Sequence, residues 1–376
     1  MNPDGHDPSP RDRDTWLLGA DSGGSGLRVA LARRAPGRGE GPEPPGPPAR
    51  VGETVTGPPA RTGGEGIEAA DLAARVVSAG RELLARAGAD HDPVPAAVCV
   101  GAAGFATLGA GLRRELPRLL AAGFANGGRP GPGARLVLAA DAVTGYAGAL
   151  GERPGVVVAA GTGMIALGTD LRAWRRADGW GHLLGDCGSG AWIGRAGLEA
   201  ALRALDGRPD GSPELLRRAE EVFGPAGELP ARLYPRPDRA AVLASFAPAV
   251  ARCAADPIGD PRAREILREA AREIAATAEA ALPESLRPAG DGVPGEPAPA
   301  LALTGGLLRL GEALTGPLRE ELARRLPGVR EVSPAGDPLD GSLLLADRAA
   351  GAGPALPRAT GLLEVRPLPS GPPGDR

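Results

Sequence analysis

The feature that most constrains the fold is a glycine-rich turn that occurs twice, each time directly after an apolar, strand-like run. The first turn reads Ala20-Asp21-Ser22-Gly23-Gly24-Ser25-Gly26, and the second reads Ala160-Gly161-Thr162-Gly163-Met164. Successive backbone N–H groups in such turns form a concave anion site, so two of them suit one ligand with several phosphates. Between the turns, Asp141 ends another apolar run, where a carboxylate suits a catalytic base.

Glycine is too abundant here for a single motif to identify a function, since it makes up 59 of 376 residues. Taken alone, Asp21 could cap a turn, Asp141 could be a helix N-cap, and residues 161–163 could form a plain hairpin turn. Trp180 could lie in a core, and Asp186 could be a loop carboxylate. The functional interpretation therefore depends on the order of the motifs along the chain.

The composition excludes several classes of site. The chain has no lysine, which removes a Walker-type nucleotide site and Schiff-base chemistry. A net charge of −3 and the lack of a basic block argue against nucleic acid as a partner. No apolar run is long enough to span a membrane, and the first residues are polar and charged. We therefore expect a soluble, cytoplasmic protein.

Cysteine and histidine are too few and too scattered for a metal centre. The cysteines are Cys99, Cys187 and Cys253, and the histidines are His6, His91 and His182. Neither a disulfide framework nor a zinc or iron–sulfur site is supported.

Hydrophobic patterning predicts an α/β unit used twice, each with the order β-β-β-α-β-α-β-α. Strands are predicted at 15–20, 27–31, 50–56, 96–100, 135–140, 155–160, 164–168, 172–177 and 300–304. Helices are predicted at 67–87, 108–122, 189–205, 239–255, 263–281 and 307–325. Two such domains would face each other across a cleft.

The predicted domain boundaries follow from this repeat and from composition. The N-terminal domain covers 15–150 and includes a C-terminal helix at about 338–351, while the second domain covers 151–337. Residues 1–14 and 352–376 are rich in Pro, Gly and charge and are predicted to be disordered tails. Segments 34–48 and 288–299 are predicted to be surface loops.

Five segments together resemble the N-acetylglucosamine kinase branch of the actin, hexokinase and heat-shock ATPase superfamily, a branch grouped with the BadF/BadG/BcrA/BcrD ATPases. They read GADSGGSGLRVAL, LVLAADAVTGYAGAL, VVVAAGTGMIALG, DGWGHLLGDCGSGAWIGR and LALTGGLL. The resemblance extends from about residue 17 to residue 347. It implies two ribonuclease-H-like, actin-like ATPase domains with mixed sheets.

The resemblance also implies roles for individual residues. The β- and γ-phosphates of ATP would be bound by both glycine-rich turns. The residues concerned are Asp21, Gly23, Gly24 and Ser25 in the first turn and Gly161, Thr162 and Gly163 in the second. Asp21 would hold Mg²⁺ through water, and Gly305 and Gly306 would let the adenosine lie against the backbone. Asp141 would accept the proton of the attacking sugar hydroxyl. Gly179, Trp180, Gly181 and Asp186 match the sugar-binding stretch.

The chain also departs from the family pattern, mainly around the sugar. Relatives usually carry Glu where this chain has Cys187 and Gly where it has Ser22. The segment 56–63 lacks the Asn that relatives place on the sugar hydroxyls. Arg195 is expected to be a salt-bridged helix residue, His182 a structural loop residue and Cys187 an inert thiol.

These observations predict an ATP- and Mg²⁺-dependent kinase that acts on a sugar hydroxyl, with an amino sugar such as N-acetylglucosamine favoured. One alternative is an ATPase that drives a conformational change in a partner protein. Related activators of that kind hold an iron–sulfur cluster between subunits through paired cysteines, which the sequence does not supply. A sugar-sensing regulator would need a basic helix-turn-helix region. A homodimer is left open.

Overall fold

The computed structural model describes residues 15–24, 26–34, 46–64, 66–89, 94–125, 133–256, 259–287 and 298–369. The predicted tail 1–14 lies outside the described residues, as do Ser25 and most of the predicted loops 34–48 and 288–299. The chain divides into two compact units: Met1–Glu152 with Ala335–Arg376 forms unit 1, and Arg153–Pro334 forms unit 2. Each unit is described by itself.

The described strands are β1 (Thr15–Gly23), β2 (Gly26–Arg34), β3 (Arg50–Gly57), β4 (Thr62–Gly63), β5 (Gly66–Ile67), β6 (Ala97–Ala102), β7 (Arg135–Ala140), β8 (Gly155–Ala160), β9 (Met164–Thr169), β10 (Trp174–Asp178), β11 (Ala300–Thr304), β12 (Arg330–Val332) and β13 (Leu363–Pro367). The described helices are α1 (Ala69–Arg86), α2 (Phe105–Leu108), α3 (Ala110–Phe124), α4 (Asp141–Leu150), α5 (Gly190–Leu205), α6 (Pro213–Phe223), α7 (Leu229–Leu233), α8 (Arg239–Ala244), α9 (Ala247–Ala255), α10 (Pro261–Ala281), α11 (Glu312–Arg325) and α12 (Pro338–Ala349). Short 3₁₀ turns occupy Ala226–Glu228, Glu284–Leu286 and Gly306–Leu310.

Unit 1 is built on a six-stranded mixed sheet with the order β13-β7-β6-β1-β2-β3. The central strands β1, β6 and β7 are parallel, and the outer pairings are antiparallel. Helices cover both faces of this sheet. Consecutive residues of β1 point to opposite faces, so Leu18 packs on α1, whereas Gly19 packs on Leu343 of α12. The sheet is therefore buried between two helical layers.

Unit 2 is built on a five-stranded mixed sheet with the order β10-β9-β8-β11-β12. Strands β8, β11 and β12 are parallel, and β9 and β10 continue from β8 as antiparallel neighbours. The amphipathic helix α10 is N-capped by Asp260, whose side chain accepts a hydrogen bond from the Ala263 N–H, and it buries an apolar stripe that includes Ile266 and Ile274. The helix after β12, which is α12, belongs to unit 1.

Four sequence-based predictions differ from the structure. The predicted helix 108–122 is divided at Gly109 into α2 and α3. The segment 352–376 was predicted to be a disordered tail, but its described part, up to residue 369, contains strand β13, which pairs with β7. The predicted helix 239–255 is two helices, α8 and α9. The predicted helix 307–325 is a 3₁₀ turn followed by α11, because Gly311 takes a left-handed φ of 80° that ends the turn.

None of the helices in the described ranges combines the length and the apolar character that a membrane span requires.

Candidate active site

In unit 1, the predicted Mg²⁺ ligand and the predicted base both lie at the carboxyl edge of the parallel strands. Asp21 is in register with Gly101 of β6, and Gly101 is in register with Ala139 of β7, two residues before Asp141. Because neighbouring strands are about 4.8 Å apart, two strand spacings separate the backbones of Asp21 and Ala139 by roughly 10 Å, and Asp141 lies two residues farther along the chain. The sheet therefore brings these two carboxylates to one edge.

Asp141 is the first residue of α4, and its side chain is exposed. The N-cap position is Ala140, so the interpretation of Asp141 as the N-cap is wrong by one residue. Its Oδ1 accepts a hydrogen bond from the Ala142 N–H at 2.9 Å. The positive end of the helix dipole favours a negative charge at this place.

The first glycine-rich turn is the tip of the β1–β2 hairpin, in which Gly23 pairs with Gly26. A Cβ atom added to Gly23 or Gly24 would meet no atom within 4 Å. The two glycines therefore leave open space beside the end of β1. Ser25, the predicted hydroxyl contact, lies outside the described residues.

Arg28 holds the Asp21 carboxylate, a contact that the sequence analysis missed. Its Nη2 and Nε donate to Asp21 Oδ2 at 2.6 and 3.2 Å, and its Nη1 donates to Asp337 Oδ2 at 2.7 Å. Asp337 also accepts a hydrogen bond from Arg50 at 2.8 Å. The hairpin register, which places Arg28 directly opposite Asp21, is the sequence signal that could have revealed this pair.

The donor set around Asp21 fits a magnesium ion that arrives with a nucleotide. Within the described ranges there is no group of three or more His, Cys, Asp or Glu side chains that could hold a metal ion. Mg²⁺ is usually held by one or two carboxylates together with phosphate oxygens and water. The single carboxylate of Asp21, two residues before the hairpin tip, matches that pattern, and both bonds from Arg28 fall on the same oxygen of Asp21.

In unit 2, the second glycine-rich turn is also a hairpin, so the plain structural interpretation of its geometry is correct. Ala160 of β8 pairs with Met164 of β9, and the Gly161 N–H donates to the Gly163 carbonyl at 2.8 Å. The carbonyls of Gly161 and Thr162 accept hydrogen bonds from the first two N–H groups of α5. The N–H groups of Thr162 and Gly163 bond to no acceptor in the described part of the chain, so both can serve an anion.

The Gly305-Gly306 turn lies next to this hairpin because β11 runs beside β8. Gly305 has a φ of 105°, and a Cβ atom there would be 2.1 Å from the Ala160 carbonyl oxygen. Only glycine fits this close approach, whereas Gly306 faces open space. A cavity of about 510 Å³ is lined by Leu303 and Leu308 of this segment together with residues of α11 and β12. In unit 2, this cavity therefore lies next to the residues that are predicted to contact the adenosine.

Asp186, predicted to bind the sugar, has protein partners for its carboxylate. It is 6% exposed and has a left-handed φ of 55°. Its Oδ1 accepts a hydrogen bond from the Gly181 N–H at 3.0 Å, and its own N–H donates to Asp178 Oδ1 at 2.5 Å. Its Oδ2 packs so closely on Gly163 that a Cβ atom there would be 2.4 Å away. Asp186 therefore connects the 178–189 loop to the second glycine-rich turn, and its burial raises its pKa.

Trp180 is exposed by 62%, so the interpretation of Trp180 as a core residue is wrong. The Arg176 guanidinium lies over the indole ring at 4.5 Å, and its Nη2 donates to the Gly179 carbonyl at 2.7 Å. Gly179 and Gly181, on either side of Trp180, both have left-handed φ values. The indole is thus supported on one face by a cation and held away from the core.

Arg195 and Cys187, which were also singled out in this region, match their structural interpretations. Arg195 forms an i,i+4 ion pair with Glu199 on α5, at 3.8 Å. Burial raises the pKa of the Cys187 thiol, and the negative charges of Glu273 and Asp178 raise it further. Cys187 is therefore a protonated thiol at neutral pH, as expected for an inert cysteine.

Comparison with known proteins places the chain among sugar kinases and ATPases. A solved candidate N-acetylglucosamine kinase from Chromobacterium violaceum is 29% identical, with a TM-score of 0.60 over 88% of this chain and 98% of that one. A second one, from Porphyromonas gingivalis, is 17% identical with a TM-score of 0.57 over 88% of this chain and 97% of that one, and shows the fold alone. The predicted fold, two α/β units with mixed sheets in the manner of the actin-like ATPases, is confirmed.

A curated relative, the N-acetylmuramic acid/N-acetylglucosamine kinase of Clostridium acetobutylicum, is 39% identical over 75 residues. That match spans 20% of this chain and 24% of the relative. The family model for the BadF/BadG/BcrA/BcrD ATPases matches a far longer stretch, residues 18–346. The chain therefore belongs to the BadF/BadG/BcrA/BcrD ATPase family.

Proposed function

We propose that this protein is a kinase that transfers the γ-phosphoryl group of ATP to a hydroxyl of a small sugar, and that this sugar belongs to the class of amino sugars named for its relatives. The observation that carries the proposal is Asp141, an exposed carboxylate at the end of a parallel strand. Its position in the chain matches the base of the kinase branch. The 29% identity to the Chromobacterium protein, over 98% of that chain, supports the same activity.

The two glycine-rich turns are proposed to bind the phosphates of ATP. Unit 1 would offer backbone amides and a hydroxyl from Gly23, Gly24 and Ser25. Unit 2 would offer the backbone N–H groups of Thr162 and Gly163. Phosphoryl transfer is mainly a matter of positioning and charge neutralisation, which backbone amides provide without lysine. Bound Mg²⁺ would neutralise charge on the phosphate oxygens, with Asp21 as its carboxylate partner.

Asp141 is proposed to accept the proton of the sugar hydroxyl as that oxygen attacks the γ-phosphorus. A carboxylate in this role contributes about 10²–10⁴-fold to the rate. Its exposure leaves the side chain accessible to a substrate, and its place at the start of α4 fixes the backbone that carries it.

The 178–189 loop is proposed to contact the sugar through Gly179, Trp180 and Gly181. The indole offers an apolar face to the sugar ring, and the arginine behind it limits its rotation. Asp186 would act as a positioning residue, because its oxygens hold the Gly181 N–H and the second glycine-rich turn. The adenosine would lie beside Gly305 and Gly306, next to the cavity lined by Leu303 and Leu308.

A coupled ADP-release assay with a panel of sugars tests this function. Each sugar is supplied with ATP and Mg²⁺, and the control reaction contains no sugar. We expect ADP release that depends on the sugar, with a stoichiometric sugar phosphate detected by mass spectrometry. Equal ADP release with and without sugar would instead identify an ATPase that acts on a partner.

A further inference from the structure

A tight turn in the C-terminal segment lies at the sheet edge that carries Asp141. This C-terminal turn, residues 359–362, leads directly into β13, which pairs antiparallel with β7. The register places Leu363, the first residue of β13, opposite Ala139. Because the two strands run in opposite directions, the chain before Leu363 and the chain after Ala139 pass the same edge of the sheet. The C-terminal turn is therefore next to the point where β7 ends and α4 begins.

A backbone hydrogen bond joins the C-terminal turn to the residue before Asp141. The Ala140 N–H donates to the Leu362 carbonyl at 2.8 Å. Ala140 is the last residue of β7 and the N-cap position of α4, and it is 3% exposed. A buried N–H group that loses its acceptor is unfavourable, so a shift of Leu362 would disturb the strand–helix junction. The bond therefore helps to fix the backbone that carries the Asp141 side chain.

The C-terminal turn is itself held by the segment that follows β6. Gly361 is buried within the turn and has a left-handed φ of 79°. Its N–H donates to Glu364 Oε1 at 3.2 Å, and Glu364 forms an ion pair with Arg113 at 3.9 Å. A Cβ atom at Gly361 would be 3.3 Å from the Ala106 carbonyl oxygen. A larger residue at Gly361 would therefore strain the turn and push it away from Ala106.

A small displacement of the turn matters because proton transfer depends on distance. A general base must come within about 2.6–3.2 Å of the atom whose proton it takes up. A misplacement of about 1 Å can lower a rate about 10²-fold. The Leu362 carbonyl bonds to the backbone before Asp141, so its displacement should slow the chemical step and leave nucleotide binding unchanged.

We propose that the C-terminal turn positions Asp141 for proton transfer through the hydrogen bond from Ala140 to the Leu362 carbonyl. The assignment of Asp141 as the base rests on the proposed function. Leu362 acts through its carbonyl and Gly361 through its conformation, so both are positioning residues. The turn lies after residue 346, the last residue that the family model matches, so this support for the base comes from outside the family match.

Gly361→Ala tests the proposal, and Gly353→Ala is its matched control. Both glycines lie in the C-terminal segment and have left-handed φ values. Of the described residues, only the flexible side chain of Arg358 would come within 4 Å of a Cβ atom at Gly353. The two substitutions therefore impose similar backbone strain, but only Gly361→Ala pushes the turn.

The two variants are compared with N-acetylglucosamine, ATP and Mg²⁺ as reactants. We expect kcat to fall about ten-fold or more in Gly361→Ala and less than about two-fold in Gly353→Ala. The Kd for an ATP analogue should be unchanged in both. Hydrogen exchange of the Ala140 amide, measured by mass spectrometry, should be faster in Gly361→Ala alone.

A double-substitution cycle separates positioning from a general loss of structure. In an Asp141→Asn protein the base is already absent, so adding Gly361→Ala should lower the residual kcat less than about two-fold. Equal losses of kcat with and without Asp141 would overturn the positioning role. Unchanged exchange of the Ala140 amide in Gly361→Ala would also overturn it.

Failure of the proposed function has a different signature. Equal ADP release with and without sugar, or full kcat in Asp141→Asn, would contradict the kinase or its base. Exchange of the Ala140 amide still decides whether the turn holds this junction. Faster exchange in Gly361→Ala than in Gly353→Ala supports that contact, and equal exchange in the two variants overturns it.

Discussion

Asp141 is the residue at which we expect a substitution to separate catalysis from nucleotide binding. Asp141→Asn keeps the shape of the side chain and removes its ability to take up a proton. We expect kcat to fall about 10²–10⁴-fold while the Kd for an ATP analogue is unchanged. Steady-state kinetics and calorimetry provide the two values. Retention of more than about a tenth of kcat would show that Asp141 is not the base.

Cys187 is predicted to react slowly with alkylating agents at neutral pH. Burial, then Glu273 and Asp178, raise its pKa, so the reactive thiolate forms only above the ordinary thiol range of about 8.5. The rate of iodoacetamide addition at this cysteine, followed by peptide mass spectrometry, should still rise steeply above about pH 9.5, where an ordinary thiol with a pKa of about 8.5 is already mostly ionised. A Cys187→Ser protein identifies the signal, and rapid labelling at pH 7 would contradict the prediction.

The positions and partners of individual residues could be predicted from the sequence to different degrees. Asp21 and Asp141 follow apolar strands, so their place at one sheet edge could be predicted from the order of the elements. The partners of Asp186 could not, because a left-handed backbone at Asp186 itself turns its carboxylate back onto Gly181 and Gly163. Ser22 looked like a turn residue, whereas the folded chain buries its hydroxyl.

Helix α12 begins with a capping box that also anchors the ion pairs near Asp21. Asp337 accepts hydrogen bonds from the Leu339 and Asp340 N–H groups, and it pairs with Arg28 and Arg50. Asp337→Ala should lower the free energy of unfolding by about 1–2 kcal/mol, the usual value of an N-cap. Asp337→Asn keeps a capping oxygen and should cost less. Urea denaturation compares the two variants, and equal losses would assign the effect to charge alone.

The same aspartate gives unit 1 a defined dependence on pH. Burial opposes ionisation of Asp337, but the Asp340 N–H and the charges of Arg28 and Arg50 outweigh it, so its pKa is lowered. Its ionised form therefore stabilises the fold above the unfolded-state pKa of about 3.9, and this contribution is lost as pH falls through the lower folded-state value. Denaturation of the wild-type protein and of Asp337→Asn between pH 3 and 7 should show a smaller acid loss in the variant.

The 178–189 loop depends on one buried carboxylate. Asp186→Ala leaves the Gly181 N–H without its acceptor and opens space against Gly163, so we expect a loss of about 1–3 kcal/mol in the unfolding free energy. Hydrogen exchange should increase in this loop and in the second glycine-rich turn together. Glu199→Ala, on the exposed side of α5, is the control. Faster exchange confined to the loop would show that Asp186 does not connect the two segments.

Elements were predictable where hydrophobic periodicity is strong and the ends are marked. Helix α10 follows Asp260-Pro261, a start signal, and carries an apolar stripe along its length. Helix α6 has only eleven residues, five of them charged, and was not predicted, although Ser212-Pro213 marks its start and the buried Leu215 and Ala219 recur at helical spacing. Strand β13 was missed because its apolar residues stand among Pro and Gly, and its pairing with β7 joins residues far apart in the chain.

At the scale of the whole molecule, the C-terminal segment is an integral part of unit 1. Leu356, Leu363 and Leu368 are each at most 4% exposed, and each buried leucine contributes about 1.5–3 kcal/mol. A protein truncated after Gly353 should therefore lose more than about 3 kcal/mol in unfolding free energy and expose the edge of β7. A protein truncated after Pro369 keeps β13 and is the control. Equal stability of the two proteins in urea would show that β13 is dispensable.

The return of α12 to unit 1 has a consequence for synthesis on the ribosome. Strand β1 emerges early, yet Leu343, which packs on Gly19, is translated only after the whole of unit 2. The segment made in the middle can therefore acquire its structure before the segment made first. Until α12 arrives, the nascent β1 and β6 expose an apolar face that a chaperone or neighbouring chain can bind. A slower passage through unit 2 during translation prolongs that exposure.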